Sequence, residues 1–292
     1  MPNDPGVAAG WQPVPFTKVQ GLGNDYLFLD GLAAPLPDRL PDLARAMSDR
    51  HFGPGADGII TIEPGQAAPL RMRIWNADGS EAQMCGNGLR GFAKLAFERG
   101  YAGAESFPVE TGAGVLQPTV MPDGGRVGRV RVDMGEPRLR RGQVPMEGPP
   151  EQECVEAPLE VAGRTLRMTA VSMGNPHAVT FVEDVEHLPV AAIGPRVERD
   201  PIFPERVNAG FAQVLAPDLI RLRVWERGSG ETLACGTGAC AAMVAAARTG
   251  RTGRRATLRL TGGDLDIEWA ANNHVFMTGP TVEVYRGVYA PR

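Results

Sequence analysis

Two cysteines are set apart by what surrounds them. Cys85 lies in QMCGNG and Cys235 in LACGTG, so each sulfur is followed at once by glycine and again by glycine two residues later. Glycines beside a cysteine remove Cβ atoms and let the main chain close around a ligand. A helix starting there offers unpaired N–H groups and the positive end of its dipole, which hold a carboxylate and favour thiolate over thiol. A thiolate placed over the α-carbon of an amino acid is a base for its α-proton. A second thiol on the opposite face can return a proton and invert the centre. Because an α-proton is far less acidic than a thiol of reference pKa ~8.5, the carbanion must be stabilised. Helix-end N–H groups aimed at the substrate carboxylate can do that, at about a few kcal/mol per donor where water is excluded.

The same residues argue against other chemistries. The four cysteines and four histidines form neither CxxC nor HExxH, and the glycine-rich GLGND and GTGAC lack the lysine of a phosphate loop. Lys18 and Lys94 are the only lysines, which leaves little room for a lysine-anchored cofactor. The expectation is therefore no cofactor and no metal.

The elements that must carry these cysteines are legible because the chain repeats itself at an offset of 150 residues. RMRIWNADGSEAQMCGNG and RLRVWERGSGETLACGTG share seven identities in 18 ungapped positions, among them Trp75/Trp225, Glu81/Glu231 and Cys85/Cys235. A weaker echo links Gly23-Asn24 to Gly174-Asn175. Alternation over residues 70–75 and 220–225 predicts a strand leading into each cysteine loop. Residues 89–99 and 239–249 read as helices, each closed by glycine. Further alternating runs at 129–134, 165–171, 256–260 and 282–285 read as mostly antiparallel strands.

The predicted class is α+β, with two pseudo-symmetric strand-rich domains. The boundaries expected are 1–133 and 134–280. A chain of 292 residues has room for two cores. Hydrophobic residues make up 43% and charged residues 22%, as in a folded globular protein. The net charge of −4 gives no global field for phosphate polymers or anionic lipid, and no stretch reaches the length of a membrane span. The arginines at 126, 129, 131, 138, 140 and 141 are interleaved with acids and read as a solvated face. Nucleic acid and membrane are not expected as partners. Without an apolar signal core in the leader that precedes Pro15, a cytoplasmic location is expected, with free thiols. Cys154 and Cys240 read as core residues.

From Pro15 onward the chain resembles the diaminopimelate epimerases, through GLGNDY (21–26), GADG (55–58), NADGSEAQMCGNGLR (76–90), GNPH (174–177), FPERVNAGF (203–211), VWERGSGET (224–232) and ACGTGAC (234–240). The resemblance implies barrel-like sheets, each wrapped around a central helix, with the active site in the interdomain cleft and a C-terminal strand in 281–292 returning to the first domain. It implies conversion of LL- to meso-diaminopimelate in lysine and peptidoglycan precursor synthesis, and a homodimer. It makes Cys85 and Cys235 the acid/base pair, with Gly86, Asn87, Gly236 and Thr237 receiving the reacting carboxylate. Asn24, Asn76, Asn175, Asn208 and Arg227 would hold the distal end, Glu226 would accept its ammonium, and His177 and Glu226 would tune the thiols. Two positions depart from the family pattern. Gly58 stands where some members carry a substrate-contacting Gln, and Tyr26 replaces a common Phe. Rival readings are a proline or hydroxyproline racemase-type enzyme, a thiol redox protein, and a non-catalytic amino-acid binding module.

Overall fold

The computed structural model describes residues 12–290. The first eleven residues of the N-terminal leader therefore lie outside the described residues. The chain divides into two units. One runs to Val132 and takes in the chain again from Pro280, and the other is Asp133–Gly279.

In the first unit, β1 (Val14–Gly21) and β2 (Asn24–Asp30) form a hairpin. Then follow α1 (Leu40–Ser48), β3 (Gly58–Pro64), β4 (Leu70–Asn76), the short β5 (Glu81–Ala82) and α2 (Gly86–Glu98). The strands β6 (Val109–Thr111), β7 (Gly114–Leu116), β8 (Thr119–Asp123) and β9 (Arg126–Asp133) complete this stretch. The last strand of the chain, Val282–Tyr289, pairs antiparallel with β1 and opens a sheet that continues through β2, β3, β4 and β6 to β7. Among the described residues no ladder joins its two outer strands, so the sheet is open rather than a closed barrel.

The second unit repeats the plan. Its strands are β10 (Ala157–Val161), β11 (Arg164–Ser172) and β12 (Pro176–Phe181), then, after α3 (Val190–Glu198), β13 (Asn208–Ala216), β14 (Leu219–Glu226) and β15 (Gly230–Thr232). After α4 (Gly236–Arg248) come β16 (Arg255–Leu260), β17 (Gly263–Trp269) and β18 (Val275–Pro280). The order is β10–β11–β12–β13–β14–β16–β17–β18. Pairing is mostly antiparallel, with parallel ladders at β2/β3, β4/β6, β12/β13 and β14/β16.

Each cysteine helix sits inside its sheet because it has no solvent face. Residues Gly88 to Ala96 of α2 and Gly238 to Ala246 of α4 are all buried, and a helix buried all round needs strands on several sides. Helix α2 packs on β1, β2, β3, β4 and β8, and α4 on β11, β12, β13, β14, β16 and β17. The polar side chains this traps in α2 are bonded, as burial requires. Lys94 Nζ donates to Glu98 (2.7 Å) and to the Val127 carbonyl (2.8 Å), and Arg90 Nε donates to the Pro280 carbonyl (3.2 Å).

Both helices begin three residues before the sequence pattern suggests, at Gly86 and Gly236, because the glycines form the first turn instead of the approach to it. Cys85 and Cys235 thus become the N-cap residues, in extended backbone. The repeated Arg and Glu have a structural use: Arg73 pairs with Glu81 at 2.8 Å and Arg223 with Glu231 at 2.7 Å, tying each approach strand to the strand before the cysteine. Cys154 and Cys240 are buried, and none of the four cysteines is in a disulfide. Arg126, Arg129, Arg138 and Arg140 are exposed.

Candidate functional site

In the first unit the site is built at the start of α2 and the start of β2. Cys85 Sγ accepts from the Gly88 N–H at 3.4 Å, so the N-cap role is taken by sulfur where Ser or Asp usually serves. Asn24 Oδ1 lies 3.9 Å from that sulfur. Asn87 Nδ2 donates to the Asn24 main-chain oxygen at 2.8 Å and to its Oδ1 at 2.7 Å, while Asn87 Oδ1 accepts from Arg90. The Asn87 side chain is thereby fully engaged, and what the helix start offers a carboxylate is main-chain N–H. Asn24 Nδ2 donates to Asp57 Oδ2 at 2.6 Å, and the same oxygen accepts from the Asp25 N–H at 3.0 Å. Burial pushes the Asp25 carboxyl up, but Arg50 and Lys18 outweigh it and hold the group below the usual carboxylate range. Asn76 ends β4, opposite Gly58, and its side chain donates to Ser80 Oγ at 3.0 Å.

In the second unit Cys235 is 5% exposed. Burial pushes its thiol well above the ordinary cysteine value, and the Glu226 carboxylate, within hydrogen-bonding reach, adds to the push. Thr237 Oγ1, 3.6 Å from the sulfur, and the Gly238 N–H act in the opposite direction. The thiolate-favouring effect expected of a helix start is present but is outweighed. Glu226 is oriented by Thr232, whose hydroxyl donates to Oε1 at 2.5 Å.

Next to Glu226, the Arg227 N–H donates to Asn208 Oδ1 at 2.7 Å, Asn208 Nδ2 donates to the Pro176 carbonyl at 3.1 Å, and Arg227 Nη1 donates to the Glu205 carbonyl at 2.9 Å. His177 pairs with Asn208 in the β12/β13 ladder and shares a 3.1 Å hydrogen bond with Asn175 Oδ1. Burial, reinforced by the nearby Arg227 charge, pushes its imidazole down to about 3. His177 is thus neutral, a fixed partner of Asn175.

The structure therefore gathers Cys85, Asn24, Asn87 and the Gly88 N–H into one cluster, with Asn76 two strands away at the same end of the sheet. It gathers Cys235, Gly236, Thr237 and Glu226 into a second, which the consecutive Glu226 and Arg227 join to Asn208, His177 and Asn175. Sequence reasoning passed over Asp57, Thr232 and Glu198. Asp57 lies within GADG and Thr232 follows the repeated Glu231, so both sat inside recognised blocks. Glu198 had no local signal. Its carboxylate accepts from Trp225 Nε1 at 2.8 Å and the Gly228 N–H at 3.1 Å, bracketing the turn that carries Glu226 and Arg227.

The family model described as diaminopimelate epimerase matches residues 16–140 and 169–284. A diaminopimelate epimerase of Moorella thermoacetica is 55% identical over 93% of this chain and 98% of its own length. One of Pelotomaculum thermopropionicum is 54% identical over 95% and 99%. Among solved structures, a Bacillus anthracis phenazine biosynthesis protein of the PhzF family aligns with a TM-score of 0.70 at 14% identity, over 96% of this chain and 100% of that one. A probable proline racemase of Agrobacterium radiobacter aligns with a TM-score of 0.66 at 14% identity, over 95% and 93%. These two share the fold. The family is set by the match over most of the sequence and by relatives more than half identical along nearly their whole length: the chain belongs to the diaminopimelate epimerase family.

Proposed function

We propose that this protein interconverts LL- and meso-diaminopimelate by proton transfer at one α-carbon, with Cys85 and Cys235 as the acid/base pair. The observation that carries the reading is the duplicated arrangement of a thiol as N-cap of a buried helix, with main-chain N–H groups next to the sulfur. One cysteine, as thiolate, takes the α-proton. The substrate carboxylate, held at the helix starts by N–H groups of Gly86, Asn87, Gly236 and Thr237, absorbs the developing negative charge. The other cysteine, as thiol, delivers its proton to the opposite face, and the two end with exchanged protonation states, so the reaction runs both ways. The burial and the Glu226 carboxylate that keep Cys235 protonated support it as the proton donor at rest, with Cys85 as the base in that direction. No metal or organic cofactor enters these steps.

The distal zwitterion is assigned to Arg227 for its carboxylate and to Asn24, Asn76, Asn175 and Asn208 around its polar groups, with Glu226 beside the ammonium. His177, neutral, holds Asn175, and Glu226 sets the charge around Cys235. On this reading the enzyme serves lysine and peptidoglycan precursor synthesis and acts in the cytoplasm as a homodimer, as the resemblance to the family implies.

The test is exchange of the substrate α-hydrogen with deuterated water, run beside epimerisation. Cys85→Ser and Cys235→Ser are each expected to lose about 10²–10⁴-fold in epimerisation. Parent-level turnover in either variant rejects the two-thiol mechanism, and binding of diaminopimelate without exchange by the parent would favour a binding module. Arg227→Ala should raise KM steeply for diaminopimelate. An unchanged KM would remove the distal assignment and bring back a cyclic substrate, which has no distal zwitterion.

A further inference from the structure

A row of side-chain amides crosses the cluster around Cys85, with a charged group at each end of it. Arg90, on α2, donates from Nη2 to Asn87 Oδ1. Asn87 Nδ2 donates to Asn24 Oδ1 at 2.7 Å, and Asn24 Nδ2 donates to Asp57 Oδ2 at 2.6 Å. A guanidinium only donates and an ionised carboxylate only accepts, so the two ends fix the direction of both amides between them. Turned over, the Asn24 amide would set its NH2 against the Asn87 NH2 and its oxygen against the Asp57 carboxylate. Oxygen is therefore the end that Asn24 presents to Cys85, whose sulfur lies 3.9 Å from it. Strand β1 leaves room for the row: a Cβ at Gly21 would fall 2.1 Å from Asn87 Oδ1 and 3.0 Å from Arg90 Nη2. The Asp57 carboxylate is fixed in turn. Its Oδ2 also accepts from the Asp25 N–H at 3.0 Å, and its Oδ1 accepts from Arg50 at 2.9 Å.

We propose that Asp57 is a positioning residue: it holds the Asn24 amide with its oxygen toward Cys85 and the substrate, so that Asn24 offers a substrate ammonium an acceptor and not a donor. The proposal rests on reading Asn24 as a substrate-binding residue. Asp57 acts through Asn24, and the loop that carries it has anchors of its own. Lys18 Nζ donates to the Gly55 carbonyl at 2.5 Å, the Tyr285 hydroxyl donates to the Pro54 carbonyl at 3.1 Å, and the Asp57 N–H donates to the Asp25 carbonyl at 2.9 Å. Removing the carboxylate thus frees the Asn24 amide while the main chain around it stays tied.

The test is a double-mutant cycle read in the KM for diaminopimelate, with Tm measured beside it. Asp57→Ala removes the acceptor and is expected to raise KM roughly tenfold. Asn24→Ala should raise it at least as far. Adding Asp57→Ala to Asn24→Ala should then change KM by less than about twofold, because the residue it acts through is gone. A purely structural Asp57 would instead multiply the two effects. A parent-like KM in Asp57→Ala, or multiplied effects in the double variant, overturns the proposal. A parent-like KM in Asn24→Ala alone is a different failure, since it rejects the binding role of Asn24 on which the proposal stands. Isosteric exchanges decide the matter if Asp57→Ala does not fold. Asn24→Asp sets two carboxylates face to face and should raise KM, and Asp57→Asn added to it restores a donor between them and should bring KM back toward the parent's. No recovery in that pair overturns the proposal.

Discussion

The two sulfurs sit in equivalent places but in unequal surroundings. Cys85 is half-buried among amide groups, whereas Cys235 is enclosed and faces the Glu226 carboxylate. The carboxylate opposes thiolate formation, so neutralising it should ease ionisation. Glu226→Gln is expected to speed alkylation of Cys235 about tenfold at fixed pH. A rate equal to the parent's would show that the carboxylate does not reach the sulfur. The cysteines themselves were legible in the sequence because repetition marks them. The asymmetry between them was not, because it depends on Thr232 turning Glu226 toward the sulfur across the β14–β15 turn, a side-chain choice that no residue spacing encodes.

At the level of elements, the strands and helices around the sites followed from alternation and from glycine at helix ends, while the first turns of α2 and α4 did not. Glycine is a poor helix former, so CGNG and CGTG read as loops, and only enclosure by the sheet makes their first turns helical. Helix α3 shows the same limit. Glu198 at its end matters through Trp225 and Gly228, which are remote in sequence. Burial pushes the Glu198 carboxyl up, but these two donors outweigh it and hold the group below the usual range. Glu198→Ala leaves Trp225 Nε1 and the Gly228 N–H without their acceptor and should cost about 1–3 kcal/mol in denaturant unfolding. It should also raise KM, since the turn carrying Arg227 loses its bracket, and an unchanged KM would confine Glu198 to stability. His177 adds a pH dependence to the β12/β13 pair. The native imidazole stays neutral down to about 3, while the unfolded one protonates near ~6.5. The unfolded state therefore binds the extra proton, and stability falls as pH drops through this window by up to about 1.4 kcal/mol per unit. In urea titrations between about pH 7.5 and 5.5, His177→Gln should flatten that slope, and an unaltered slope would place its origin elsewhere.

For the molecule as a whole, the consequential feature is the return of the chain at Pro280 to a unit it left at Val132. The return strand Val282–Tyr289 is the edge partner of β1, and Tyr285 packs edge-on against Phe16 with ring centroids 5.7 Å apart. Deleting the residues after Thr281 should therefore unfold the first unit at lower temperature while leaving the Cys154 and Cys240 thiols of the second unit protected from alkylation. Equal exposure of both units would show that they unfold as one. Synthesis on the ribosome meets the same discontinuity. The second unit is a single uninterrupted stretch and is complete before the last strand exists. Strand β1, among the earliest to emerge, must wait for a partner made about 260 residues later, which at ~5–20 residues per second is tens of seconds. Throughout that interval β1 is itself the outer strand of the nascent sheet, with the hydrogen-bonding groups that the last strand will cover still open to water.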